Sequence, residues 1–240
     1  MTRSIPALVL ISFFAPIASG DQPLHEQIDR LIEAKAKGKS PSKQSDDAEF
    51  VRRIYLDLAG RIPTATETRT FLADRSADKR ARLIDQLLAG SEYSVRMGQV
   101  FNVMFMERLG DHADWQKYLR ESFAANKPWD QMARELLRAD PTGKERGASF
   151  FLAKRLENFG QNPVDYPGLT RDVGRLFLGV DLQCAQCHNH VFIKDYKQAD
   201  YQGLFAFFQN TYLVDPKQML VGEKLTTKKI EFVSVFGITK

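Results

Sequence analysis

The residues best suited to chemistry lie together near the C-terminal end of the chain. Residues 181–192 read Asp-Leu-Gln-Cys-Ala-Gln-Cys-His-Asn-His-Val-Phe. Within them, Cys184, Cys187 and His188 have the Cys-x-x-Cys-His spacing of c-type haem attachment. Two thiols three residues apart can each form a thioether with one haem vinyl group, and the next imidazole supplies the iron ligand. The sequence therefore predicts a covalently attached haem c, with His188 on the iron.

His190 belongs to the same cluster, two residues beyond the predicted iron ligand. Its short tether to His188 keeps it from the opposite face of the same porphyrin, so we expect it to line the haem pocket. The candidates for the second axial position lie elsewhere in the chain: Met97, Met104, Met106, Met132, Met219 and His112. A Met or His in that position favours electron transfer, whereas an open position permits small-molecule binding.

Two other kinds of site could use the same cysteines. A closed zinc site needs four ligands, and Cys184 and Cys187 could combine with a neighbouring histidine and one distant residue. His25 and His112, the other two histidines, are isolated in the sequence. A redox-active Cys-x-x-Cys usually follows a strand of a βαβ unit, whereas here a predicted amphipathic helix ending near Leu178 precedes the cysteines.

The first twenty residues have the pattern of a secretory signal. Arg3 precedes an apolar stretch over residues 5–17, and Ala18-Ser19-Gly20 supplies the small residues of a cleavage site. The apolar stretch falls short of the roughly 18 residues that a membrane-spanning helix needs. We therefore expect residues 1–20 to be removed and the chain to be exported to the periplasm or cell surface of a bacterium, with no membrane span after cleavage.

Composition narrows the possible classes of protein further. A hydrophobic content of 43% with 27% charged residues is typical of a globular chain. The formal charge is only +4, from 34 Lys and Arg against 30 Asp and Glu, and the basic residues are scattered, which argues against nucleic acid as a partner. Two cysteines are too few for a disulfide framework.

Most of the chain has helical periodicity. Apolar residues recur three, four and seven positions apart, which places them on one face of a helix. Such stripes occupy residues 24–32, 51–58, 83–88, 97–104, 129–136, 169–177 and 201–208. The sequence predicts a mainly α fold, a multi-helix domain with a small β appendage near the C-terminus.

Capping residues predict where several helices begin and end. Thr64 and Glu67 have the spacing of a capping box, which predicts a helix from residue 65. Asn162-Pro163 predicts another helix start. Gly90 and Gly179 follow apolar stripes, where a residue that tolerates positive φ is expected to end a helix.

The chain is expected to have three parts. After the signal, residues 21–46 predict an N-terminal helix followed by a polar linker, and residues 47–240 predict one helical domain. Residues 230–236 change to an alternating pattern, which predicts a short strand paired with residues 212–214.

Several stretches together resemble a known family, the planctomycete-type cytochrome c-like domain. Residues 50–64 are similar to its opening, and residues 178–190, with 200–208 after them, are similar to its Cys-x-x-Cys-His region. The resemblance implies an exported bacterial protein with a haem c motif and no settled activity. Family members usually continue into a further domain, so this chain is expected to be truncated. One departure is Val191, which stands where the family commonly has proline.

Together these patterns predict an exported c-type haem domain that transfers electrons. Its partner is expected to be an unidentified redox protein or a further domain of a longer polypeptide. The alternative is a scaffold module that holds a structural zinc ion without haem. A third hypothesis, an enzyme that acts oxidatively on extracellular polymers, rests on the family resemblance alone.

Overall fold

The computed structural model describes residues 22–36, 42–140, 142–144, 146–158, 164–224, 232–234 and 237–239. The helices are α1 (Leu24–Lys35), α2 (Asp47–Leu58), α3 (Ala65–Ala73), α4 (Lys79–Leu88), α5 (Ser91–Met106), α6 (Ala113–Ala124), α7 (Trp129–Leu137), α8 (Arg146–Arg155), α9 (Tyr166–Leu178) and α10 (Gln198–Phe208), with a 3₁₀ helix at Cys184–Gln186. The strands are β1 (Thr211–Asp215), β2 (Leu220–Glu223), β3 (Phe232–Ser234) and β4 (Gly237–Thr239). The predicted mainly α fold with a small β appendage is confirmed. No helix in the described ranges is long and apolar enough to cross a membrane.

The chain divides into two compact units, Met1–Ser45 and Asp46–Lys240. The first unit contains α1, whose apolar stripe has the spacing of a core-facing helix. None of the α1 residues is buried, and Leu24 and Leu31 are 71% and 70% exposed. The predicted signal, residues 1–20, lies outside the described residues, so its cleavage stays a prediction.

Local capping explains most of the helix boundaries. The Thr64 hydroxyl accepts a hydrogen bond from the Glu67 N–H, and the Glu67 carboxylate accepts one from the Thr64 N–H. The predicted capping box and helix start at residue 65 are thus confirmed. Gly179 ends α9 with a φ of 67°, as predicted. The prediction for Gly90 is wrong: its φ is −78° because Ala89 ends α4 in a right-handed conformation and Gly90 already precedes α5.

Helix α9, which leads to the motif, begins later than the sequence predicts. Asn162 and Pro163 lie outside the described residues. The side chain of Asp165 accepts a hydrogen bond from the Gly168 N–H at 2.8 Å, and Pro167 occupies the first turn, where its missing N–H has no cost. These two features place the first helical residue at Tyr166.

The described residues of the second unit form two main hydrophobic cores and a third, small cluster of Leu182, Ala185 and Tyr201. The larger core takes buried residues from α5 to α10 and from the β1–β2 hairpin: Phe105, Met106, Trp115, Leu119, Met132, Leu136, Phe151, Leu152, Leu169, Val173, Phe208 and Val221 among them. The smaller core takes its residues from α2 to α4: Val51, Tyr55, Phe71, Leu83 and Leu87. Trp115 is fully buried, and its indole N–H donates to the Asn102 side-chain oxygen at 2.7 Å, so its polar atom is satisfied.

Arg155 holds α9 against the larger core. Its guanidinium donates to the Asp172 carboxylate on α9 at 3.0 Å, and to the carbonyl oxygens of Phe105 and Phe151 at 2.6 and 3.1 Å. Burial lowers the pKa of Arg155 from its usual value. Because its hydrogen-bond donors meet oxygen acceptors, the buried cation is compensated and fixes the position of α9.

The β-strands pair with their neighbours in sequence. β1 pairs antiparallel with β2, with Thr211 opposite Glu223, and β3 pairs antiparallel with β4. The prediction that the C-terminal strand pairs with residues 212–214 is therefore wrong. The Asp215 carboxylate accepts hydrogen bonds from the N–H groups of Lys217 and Gln218, and this tight turn brings β2 beside β1 before the chain reaches β3.

Candidate functional site

The chain enters the Cys-x-x-Cys-His motif through a tight reversal after α9. Gly179 adopts the left-handed conformation, and the Val180 N–H donates to the Gly174 carbonyl at 3.0 Å. A Cβ at Gly174 would lie 2.7 Å from Leu182 Cδ1. The missing side chain of Gly174 thus gives room for Leu182, which is buried and anchors the segment just before the motif.

Residues Cys184–His188 form a compact turn, here called the attachment turn after the role that the sequence predicts for it. Its 3₁₀ helix is closed by the Cys187 N–H donating to the Cys184 carbonyl at 3.3 Å, and the His188 N–H donates to the same carbonyl at 3.3 Å. Ala185 is completely buried against Leu182 and Tyr201. Cys184 and Cys187 are both exposed thiols, and they are not joined in a disulfide. The turn therefore buries its small apolar residue and presents both cysteines at the surface.

The His188 ring has a defined tautomer. Its Nδ1 lies 2.7 Å from the carbonyl oxygen of Asn189. Because a carbonyl oxygen can only accept, Nδ1 must carry the proton, and Nε2 keeps its lone pair in the neutral ring. Histidines that bind a metal through Nε2 usually donate Nδ1–H to a carbonyl or carboxylate in this way. The Nδ1 contact of His188 is thus of the kind found in histidines that bind a metal through Nε2.

The Nδ1 atom of His190 is an acceptor, whereas that of His188 is a donor. Its Nδ1 accepts hydrogen bonds from the N–H groups of Phe192 and Ile193 at 3.2 and 3.0 Å. Its own backbone N–H donates to the Tyr196 carbonyl at 2.8 Å, and its ring lies edge-on to the Tyr196 ring at 5.8 Å. In the structure His190 organises the loop that follows the attachment turn, and its predicted role in a haem pocket stays a prediction.

Gln198, a polar residue on α10 that the sequence did not mark as functional, supports the attachment turn. The side-chain N–H of Gln198 donates to the Cys187 carbonyl at 3.0 Å, and its backbone N–H donates to the Asn189 side-chain oxygen at 2.9 Å. Gln198 is buried although it is polar. The sequence gives little signal for this role, since the bond partners of Gln198 lie nine and eleven residues away.

Arg171 links α9 directly to the attachment turn. Its guanidinium donates to the Gln186 side-chain oxygen at 2.5 Å. Behind the turn, Tyr201 on α10 is buried, and this burial raises the pKa of its phenol. α9 therefore holds the turn through the polar contact of Arg171, and α10 holds it through the polar contact of Gln198 and the apolar contact of Tyr201.

A short apolar loop follows the attachment turn. Val191, Phe192 and Ile193 are 74%, 89% and 42% exposed, and we call these three residues the apolar loop. Contiguous apolar side chains at a surface commonly mark a site where something binds. Leu178, just before the motif, is also largely exposed.

The candidates for a second axial ligand occupy varied positions. Met106, Met132 and Met219 are buried in the larger core, whereas Met104 is exposed on α5 and Met97 is half-buried there. The His112 ring caps α6 by accepting the Asp114 N–H at 3.1 Å. Within the described part of the chain, no group of three or more His, Cys, Asp and Glu residues is placed to hold a metal ion.

Comparison with known proteins places the chain in a family. A family model described as PSCyt2, a protein of unknown function (DUF1549), matches residues 27–212. No curated protein matches the chain, and no solved structure matches it. The family match spans α2 to α10, the attachment turn and the start of β1. Because it covers well over half of the sequence, the chain belongs to the PSCyt2 family of proteins of unknown function (DUF1549).

Proposed function

We propose that this chain is an exported haem c domain that transfers electrons to or from a redox partner. Cys184 and Cys187 would attach the haem, and His188 would bind its iron. The observation that carries the proposal is the 2.7 Å contact between His188 Nδ1 and the Asn189 carbonyl, next to two exposed thiols on the same turn. Histidines that bind a metal through Nε2 commonly donate Nδ1–H to a carbonyl in this way, which supports His188 as the iron ligand.

The attachment chemistry needs only the two thiols and the two vinyl groups of haem. Each S–H adds across a vinyl double bond, so that one C–S bond and one C–H bond form and nothing is released. Both thiols are exposed on one turn, and this addition requires that access. When bound, haem supplies a one-electron couple whose potential depends on its axial ligands and surroundings.

The residues around the turn fit a site that must keep its shape. Gln198 holds the Cys187 carbonyl, and Arg171 holds Gln186. The buried Ala185 fixes the turn to α10. Because the rigid helices on both sides carry these contacts, the imidazole and both sulfurs keep constant relative positions, which an electron-transfer site needs to limit its reorganisation.

The proposal is tested by producing the full chain in a host that carries a haem c maturation system. We expect the purified protein to show a haemochrome spectrum and a mass increased by one haem. Cys184→Ala/Cys187→Ala should lose the covalent mass. His188→Ala should alter the spectrum, whereas His25→Ala, a control at an exposed position on α1, should leave mass and spectrum unchanged.

The contrary outcomes are equally clear. An unmodified mass with two titratable thiols overturns the proposal. Elemental analysis that finds stoichiometric zinc and no iron overturns it in favour of the structural metal site that the two cysteines and a histidine could otherwise form.

A further inference from the structure

We infer that the apolar loop, Val191–Ile193, is the surface of this chain that packs against the porphyrin once haem is attached, with Phe192 as its main contact. The inference rests on the proposed function and goes beyond it, because it assigns a role to residues outside the Cys-x-x-Cys-His motif. The loop would then set how much water reaches the cofactor.

The first argument is the exposure of the loop. Phe192 is 89% exposed and Val191 is 74% exposed, so two large apolar side chains face water side by side. Their exposure is unfavourable, because the transfer of apolar surface out of water lowers the free energy. A flat and largely apolar macrocycle is the kind of partner that would cover them.

The second argument is that the backbone carrying the exposed side chains is held in place. His190 Nδ1 accepts the N–H groups of both Phe192 and Ile193, and the His190 N–H donates to the Tyr196 carbonyl. The Tyr196 N–H in turn donates to the Ile193 carbonyl at 3.1 Å. An apolar loop fixed by its own hydrogen bonds is preorganised for binding, since little conformational entropy is lost when it is covered.

The third argument is the position of the loop, which selects haem over other occupants. Phe192 follows His188 by four residues, and four residues span at most about 14 Å. The chain after the loop returns to the same turn, because Gln198 bonds to both the Asn189 side chain and the Cys187 carbonyl. A group tethered to Cys184 and Cys187 therefore stays within reach of the loop, whereas a separate protein would have to be recruited there.

The experiment compares the reactivity of two exposed phenylalanines in the full chain with and without haem. Hydroxyl-radical footprinting followed by peptide mass analysis is applied to the haem-loaded protein and to Cys184→Ala/Cys187→Ala. We expect oxidation of Phe192 to fall several-fold when haem is attached. Phe207, which is 78% exposed near the end of α10, is the matched control and should react equally in both forms.

A second measurement uses substitutions in the haem-loaded protein. Phe192→Ser should still gain the mass of one haem, but its midpoint reduction potential should fall, because added water stabilises the more highly charged oxidised iron. Phe207→Ser should leave the potential unchanged.

Each contrary result has a separate meaning. If the mass shows no covalent haem, the proposed function is wrong and this inference falls with it. If haem is attached but Phe192 stays as reactive as in the double variant, only the inference is wrong. Protection of Phe192 in both forms that grows with protein concentration also overturns it, and shows that a second copy of the chain covers the loop.

Discussion

His188 and His190 use the same ring nitrogen in opposite ways. His188 Nδ1 must donate to the Asn189 carbonyl, whereas His190 Nδ1 accepts two backbone N–H groups. The sequence predicted both residues as part of one site, but two histidines look identical in a sequence. Their hydrogen-bond partners separate a ring whose Nδ1 donates from a ring whose Nδ1 accepts and shapes a loop.

Asn189 offers a test of how the attachment turn is joined to α10. Its side-chain oxygen accepts the N–H of Gln198, the first residue of that helix. We expect Asn189→Ala to lower the free energy of unfolding by about 1 kcal/mol, the usual net contribution of one hydrogen bond. Urea unfolding followed by circular dichroism measures the change. Gln99→Ala, at an exposed position on α5, is the control, and an equal loss in both variants would contradict the assignment.

Glu67 should make stability depend on pH in the acid range. Hydrogen bonds from Arg61 lower the pKa of the Glu67 carboxyl to about 2, with a further contribution from Thr64. A carboxyl with a lowered pKa stabilises the fold above its unfolded value of about 4.3 and loses that contribution as the pH falls through its folded value. Glu67→Gln keeps an acceptor for the cap but lacks the charge.

The expected result is a stability difference between the wild type and Glu67→Gln that is largest above about pH 5 and shrinks towards pH 2. Urea unfolding at a series of pH values measures it. Glu121→Gln, whose partner Lys117 is 3.8 Å away with both side chains about two-thirds exposed, should show almost no such difference. If the stability difference between the wild type and Glu67→Gln stays constant with pH, the Glu67 carboxyl does not have the lowered pKa described above.

At the level of elements, the sequence correctly predicted the helix boundaries that depend on neighbouring residues alone. The capping box at Thr64 and the left-handed Gly179 were both predictable, because each depends on residues within one turn of the chain. Gly90 was not, since its conformation depends on how closely α5 follows α4. The strand partner of β1 was also missed, because alternation identifies a strand but not the segment beside it.

Two glycines provide opposite predictions for helix stability. Gly179 has positive φ with open space around its missing side chain, so Gly179→Ala meets only backbone strain and should destabilise by about 1 kcal/mol. Gly203 lies within α10, also in open space. Gly203→Ala should therefore stabilise by a similar amount, about 1 kcal/mol, because alanine is the better helix former. Thermal unfolding measures the stability change in each variant. Changes of the same sign would contradict the different backbone roles given to Gly179 and Gly203.

At the scale of the whole molecule, the β1–β2 hairpin is part of the main core. Val221 and Met219 belong to the same buried cluster as Trp115 and Phe151. The Val221 N–H also donates to the Asp140 carbonyl at 3.3 Å. The sequence correctly predicted that the β structure is small. It did not reveal that the hairpin and the helices share one hydrophobic core.

Val221→Ala should consequently weaken the entire larger core. We expect a loss of about 2 kcal/mol in the free energy of unfolding, because the removed methyl groups leave a cavity. Tryptophan fluorescence and far-ultraviolet circular dichroism should report the same shifted transition. Val214→Ala, at a position 45% exposed on β1, should change stability by less than about 0.5 kcal/mol. Fraying of the hairpin with unchanged tryptophan emission would contradict this view.

The surface position of both cysteines bears on the biogenesis of the protein. Ala185 is turned inward, whereas Cys184 and Cys187 are exposed. Under the proposed function, a maturation enzyme would reach both thiols without opening the packed interior. Stability and cofactor loading would then be separate steps, and a chain starved of haem would accumulate as a structured precursor.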